Sequence, residues 1–127
     1  MVRMKNKKIL IVEDEPIIAM EMQESLQSVG YIVPEIVRNA DDVLPSVMKH
    51  SPHLVIMDIY LKSFIDGIDA AQRIKVLKDT PIIFLTAYPN EVIRKKAMCV
   101  KPEAYLLKPI QDEELQRHIE RVMKKYA

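Results

Sequence analysis

The sequence predicts an α/β fold: a doubly wound three-layer sandwich, (βα)5, with a central five-stranded parallel sheet. Three observations predict it. Short β-rich runs alternate with helical patterns from one end of the chain to the other, the sign of βα units. The first of those runs is apolar without interruption, as a strand buried on both faces is, rather than alternating. The length of 127 residues suits one domain, residues 1–127, with its core at about 7–126.

The first strand is read as Ile9–Val12. A helix over 15–29 follows, because Ile18, Met22, Leu26 and Val29 recur at helical spacing and Gly30 sits where a left-handed C-cap is wanted. Residues 31–33 with Ile36–Val37 supply the second strand. The second helix spans 39–50, with Asn39 as its N-cap; Pro45, about a turn and a half in, should kink or loosen it. Strand three covers 54–57 and leads to a helix over 68–77 that Gly67 opens. Strand four covers 81–85 and its helix 90–100. The fifth pair is Ala104–Leu107 and a helix over 112–126. In that helix Leu115, Ile119, Val122 and Tyr126 form one stripe, and Asp112, Glu113 and Glu114 stand at the positive N-terminal end. Right-handed crossovers between parallel strands place these helices on both faces of the sheet. Met20, Met22 and Met98 are read as core filler.

Composition narrows the function. A content of 49% hydrophobic and 29% charged residues is that of a soluble globular protein. The formal charge of +1 gives no push toward nucleic acid or an anionic membrane. No apolar run approaches the roughly 20 residues of a membrane span, and Cys99 is the only cysteine, so the expected location is a reducing cytoplasm. His50, His53 and His118 lack ligand spacing. Gly30 and Gly67 are the only glycines, too few for the Gly-rich loops that cradle nucleotide phosphates. Any phosphate chemistry must therefore come from side chains.

Those side chains stand at the strand ends, where ligands bind in such sheets. Strand one runs into Glu13-Asp14-Glu15, and strand three into Asp58. With strands one and three adjacent, Glu13, Asp14 and Asp58 crowd together and repel unless a cation intervenes. Mg²⁺ (or Mn²⁺), a hard ion with oxygen ligands, is the natural solution. Strand four ends in Thr86 and strand five in Lys108, whose ammonium would balance the acids and could hold a phosphoryl oxygen.

These motifs, KKILIVEDE, LVIMD, IIFLTAY and YLLKPI, resemble in order and spacing the receiver domains of response regulators in two-component signalling. The resemblance implies a flavodoxin-like fold and makes Asp58 the acceptor of a phosphoryl group from a histidine kinase or phosphotransfer protein. It implies that Glu13, Asp14, Asp58 and the backbone carbonyl of Tyr60 hold Mg²⁺, that Thr86 bonds the phosphoryl oxygen, and that Lys108 pairs with it. Tyr105 would be the switch aromatic, turning from exposed to buried as Thr86 moves in, and the Lys108–Pro109 peptide would be cis. Such a domain phosphorylates itself and slowly loses the phosphate, and it has no substrate of its own to turn over. The fourth helix, fifth strand and fifth helix would form the surface read by a downstream target or output domain, or by a second copy in a homodimer.

The chain departs from the family after the acceptor. Its loop reads D-I-Y-L-K-S-F-I-D-G, with Lys62 in place of the usual proline and Asp66-Gly67 one residue late, which resembles a subgroup with LK-x-x-x-DGI-x-AA. Lys62 is read as a solvated loop lysine, with an added cation near the site as the other reading. Tyr60 and Tyr88 each follow a site residue by two positions; they either shield the acyl phosphate and slow its hydrolysis or merely pack the rim. A flavin-binding reading fails because Glu13-Asp14-Glu15 would repel the phosphate. A phosphatase reading fails because Tyr60 stands where a second acid is needed. A non-phosphorylated interaction module is the remaining alternative. The chain stops with its fifth helix, so the expectation is a single-domain receiver or a piece of a larger regulator.

Overall fold

The residues of three apolar runs are buried along their whole length, because each strand has a neighbour on both sides and helices on both faces. A computed structural model describes residues 6–61 and 66–127, so Lys62 lies outside the described residues. The three runs are β1 (Ile9–Val12), β3 (Leu54–Asp58) and β4 (Ile82–Thr86). Beside them lie β2 (Ile36–Val37) and β5 (Ala104–Leu107), giving one parallel sheet in the order β2-β1-β3-β4-β5. The helices are α1 (Pro16–Ser28), α2 (Val43–His50), α3 (Gly67–Leu77), α4 (Glu91–Cys99) and α5 (Asp112–Lys125).

Alternation along the strands divides the core in two. Leu10, Val12, Val55, Met57, Ile82 and Phe84 face one side, where Val43, Val47, Ile74 and Ala97 of α2, α3 and α4 cover them. Ile9, Ile11, Leu54, Ile56, Ile83 and Leu85 face the other, against Met22 and Leu26 of α1 and Leu115, Ile119 and Val122 of α5. Each Val, Leu, Ile, Met or Phe side chain among them contributes about 1.5–3 kcal/mol on full burial. The result is the expected flavodoxin-like (βα)5 sandwich with helices on both faces.

Four local expectations are corrected. Residues 31–33 are not a strand; only Ile32 bridges to Lys8, because Pro34 has no N–H to continue the ladder. The segment 39–50 is not one kinked helix. Asn39 accepts from the amide of Asp42 at 3.0 Å to cap a short 3-10 turn, Ala40–Asp42, and α2 begins afterwards. Pro45 is then the third residue of α2, where a helix leaves its N–H groups unpaired anyway, so the proline neither kinks nor loosens it. Val29 and Tyr126 lie just beyond α1 and α5 and are exposed, where the helical stripes would have buried them. Of the three methionines only Met22 is buried; Met20 and Met98 face solvent. Gly30, by contrast, does take the left-handed conformation at φ 102°. Among the described residues no helix is long and apolar enough to cross a membrane.

Candidate functional site

Parallel strands deliver their C-terminal ends to one edge of the sheet. The chain leaves β1 outward to β2 and then returns past it to β3, so strand order reverses between β1 and β3, which is where ligands sit in such folds. Glu13 directly follows β1, held by its amide, which donates to Val37 at 2.9 Å, and Asp58 ends β3. Both acids are buried, while Asp14 is half-buried. The sheet thus brings Glu13, Asp14 and Asp58 together, with one carboxylate oxygen from each within 4.8 Å of the others.

Lys108 comes to the same place from the far side of β4. Its backbone amide donates to the Thr86 carbonyl at 2.9 Å, and the peptide to Pro109 is cis. Its ammonium donates to Asp58 Oδ2 at 3.0 Å and to Glu13 Oε1. Burial favours the neutral amine, but hydrogen bonds and charge from Glu13 and Asp58 outweigh it and raise the Lys108 pKa. The remaining oxygens are partly used: Glu13 Oε2 accepts from the Glu15 amide at 3.1 Å and Asp58 Oδ1 from the Tyr60 amide at 3.0 Å. Three carboxylates against one ammonium leave two negative charges. That all-oxygen, doubly negative donor set fits one hard divalent cation such as Mg²⁺.

Thr86 ends β4 and is fully buried. Its Oγ1 accepts from the Tyr88 amide at 3.1 Å, which leaves the hydroxyl proton free to donate elsewhere. Tyr105 pairs with Phe84 in the β4–β5 register, one side-chain step from Thr86 on the same face. Its ring is half-buried and its phenol oxygen has no hydrogen-bond partner among the described residues. Burial, and then the neighbouring Tyr60, push its pKa up. The expected exposed starting position of Tyr105 is therefore not what this structure holds: the phenol oxygen is already shut away from solvent.

One arrangement went unread in the sequence. Tyr60 and Tyr88 meet edge to face, with ring centroids 5.4 Å apart and planes at 87°. Each ring belongs to a residue whose amide is tied to the side chain two places earlier, Asp58 or Thr86. The repeated spacing in D-I-Y and T-A-Y was the available signal, but only adjacency of β3 and β4 shows that the rings touch.

Comparison with known proteins agrees with this geometry. The family described as response regulator receiver domain matches residues 9–120. The chain is 32% identical over 120 residues to the transcriptional regulatory protein PdtaR of Mycobacterium tuberculosis, covering 94% of this chain and 58% of that protein. It is 29% identical over 118 residues to the transcriptional regulatory protein BaeR of Escherichia coli, covering 93% of this chain and 48% of that one. The chain thus spans about half the length of these curated relatives. Among solved structures it resembles the signal receiver domain of a modulated diguanylate cyclase from Desulfovibrio desulfuricans, with a TM-score of 0.87, 31% identity, and coverage of 93% and 94% of the two chains. A CheY-like receiver domain protein from Methanospirillum hungatei superposes with a TM-score of 0.86 at 25% identity, covering 94% and 96%. With strand order, acidic cluster, crossing lysine and family match in agreement, the chain belongs to the receiver domains of two-component response regulators.

Proposed function

We propose that Asp58 accepts a phosphoryl group from a histidine kinase or phosphotransfer protein. The observation that carries this reading is the meeting of a buried strand-end aspartate with two further acids and one lysine. An Asp58 oxygen bonds to phosphorus while the bond from phosphorus to the donor's imidazole nitrogen breaks, and its electron pair leaves with the imidazole. Glu13, Asp14, Asp58 and the Tyr60 carbonyl would hold Mg²⁺, which when bound neutralises charge on the transferring group. Lys108 exchanges its carboxylate contacts for a phosphoryl oxygen, and Thr86 donates its free proton to another. Thr86 moving inward opens space beside Tyr105, whose half-buried ring packs against the core on the same face of the sheet. The surface of α4, β5 and α5 changes with it, for a downstream target, an output domain or a second copy to read. The paired rings of Tyr60 and Tyr88 shield the acyl phosphate and slow its hydrolysis. The protein is a phosphoacceptor and has no substrate of its own to turn over.

The test is incubation with phosphoramidate and Mg²⁺ followed by intact mass. Gain of one phosphoryl group that chelator and Asp58→Asn both abolish is the expected result; no gain in the unaltered protein leaves the non-phosphorylated interaction module. Timing the loss of label in a Tyr60→Ser, Tyr88→Ser double variant checks the shielding role, which an unchanged lifetime removes.

A further inference from the structure

Gly67 is the first residue of α3 and is buried against the strand that ends in Asp58. A Cβ at Gly67 would lie 2.2 Å from the backbone oxygen of Asp58, 3.0 Å from Ile59 Cα and 3.0 Å from Met57 Cγ. Two of those three neighbours are backbone, which cannot swing away as the end of a side chain can. The Gly67 amide donates to the Ile59 carbonyl at 2.8 Å, while the Ile59 amide donates to Leu85 at 3.2 Å. Both polar groups of Ile59 are thereby fixed, one by α3 and one by β4. The next amide, that of Tyr60, is the one that holds Asp58 Oδ1.

We propose that Gly67 is a positioning residue for the Asp58 carboxylate. By letting the first turn of α3 sit directly on the Asp58 carbonyl, it sets the peptide path from Asp58 to Tyr60. That path aims the Tyr60 amide, and the amide aims the carboxylate. The proposal rests on Asp58 being the phosphoacceptor. A methyl group at Gly67 forces the contact to open by about 1 Å before ordinary van der Waals distance is reached. A displacement of that size in a reacting group lowers rates roughly a hundredfold.

The test compares Gly67→Ala with Asp66→Ala. The second variant removes the side-chain cap that accepts from the Asp69 amide at 2.9 Å, and so weakens the start of the same helix without reaching Asp58. For each, the melting temperature, the rate of phosphorylation by phosphoramidate with Mg²⁺, and the amide resonance of Tyr60 are measured. Gly67→Ala is expected to lose roughly a hundredfold in rate and to shift the Tyr60 resonance. Asp66→Ala is expected to melt lower while keeping its rate within about twofold and its Tyr60 resonance in place. A folded Gly67→Ala protein with an unmoved Tyr60 resonance overturns the proposal. If Gly67→Ala does not fold, hydrogen exchange of the Gly67 amide in the unaltered protein decides: protection is expected, and exchange at the rate of a free amide overturns the latch. A shifted Tyr60 resonance in a protein that takes up no phosphate in any form supports the positioning and removes the phosphoacceptor reading instead.

Discussion

Asp14 is the acid of the cluster with no ion pair among the described residues, whereas Glu13 and Asp58 share Lys108. Its charge is therefore a burden without metal and an asset with it. Two opposite effects of Asp14→Asn follow from like-charge repulsion and from ligand linkage. Without divalent ions the variant is expected to unfold at the same or a higher urea concentration than the unaltered protein. With Mg²⁺ at a hundredfold excess over its Kd the unaltered protein gains about 2.7 kcal/mol, and the variant loses most of that gain. Urea midpoints with and without Mg²⁺ measure both. Much of this site could be read in the sequence, because an acid or a lysine directly after an apolar run has only one place to go. The aromatic pair and the Gly67 contact could not, since both depend on distances between segments far apart in the chain.

At the scale of elements, α4 is the helix most lightly held: Ala97 is its only buried residue. Its first turn depends on Asn90, whose Oδ1 accepts from the amides of Val92 at 2.9 Å and Ile93 at 3.2 Å. Asn90→Ala is expected to cost about 1 kcal/mol and to speed hydrogen exchange in α4 ahead of the other helices. The short β2 is held to α2 by Glu35, which accepts from the Ser46 hydroxyl at 2.6 Å and pairs with His50 Nε2 at 2.7 Å. The Ser46 bond, against a smaller opposing effect of burial and aided by His50, lowers the Glu35 pKa from 4.5. A lowered folded-state pKa gives stability that is present above the ordinary value and fades as pH falls through the folded one. The urea midpoint of the unaltered protein is thus expected to exceed that of Glu35→Gln above about pH 5, a margin that closes in more acid solution. Element type followed from periodicity. The misread boundaries, at Pro34 and at the turn before α2, are places where a missing N–H or a local cap overrode the apolar pattern.

At the scale of the molecule, helices on both faces of the sheet followed from right-handed crossovers, whereas the strand order came from the structure, and one prediction concerns assembly. Val92 and Met98 on α4 and Leu107 on β5 are exposed apolar residues on the proposed signalling surface. With beryllofluoride and Mg²⁺ as a stand-in for phosphate, sedimentation is expected to show pairing that Leu107→Glu prevents; a monomer under all conditions would leave that surface to other partners. The two margins of the sheet bear on how such pairing ends. On one side β2 is two residues long and follows Pro34, which leaves almost no unpaired backbone for another chain to extend. On the other, β5 offers four residues. A molecule with only one serviceable margin cannot be added to on both sides. Two copies that join there by the same margin use up the only one each possesses, and growth stops at a closed pair instead of a fibre.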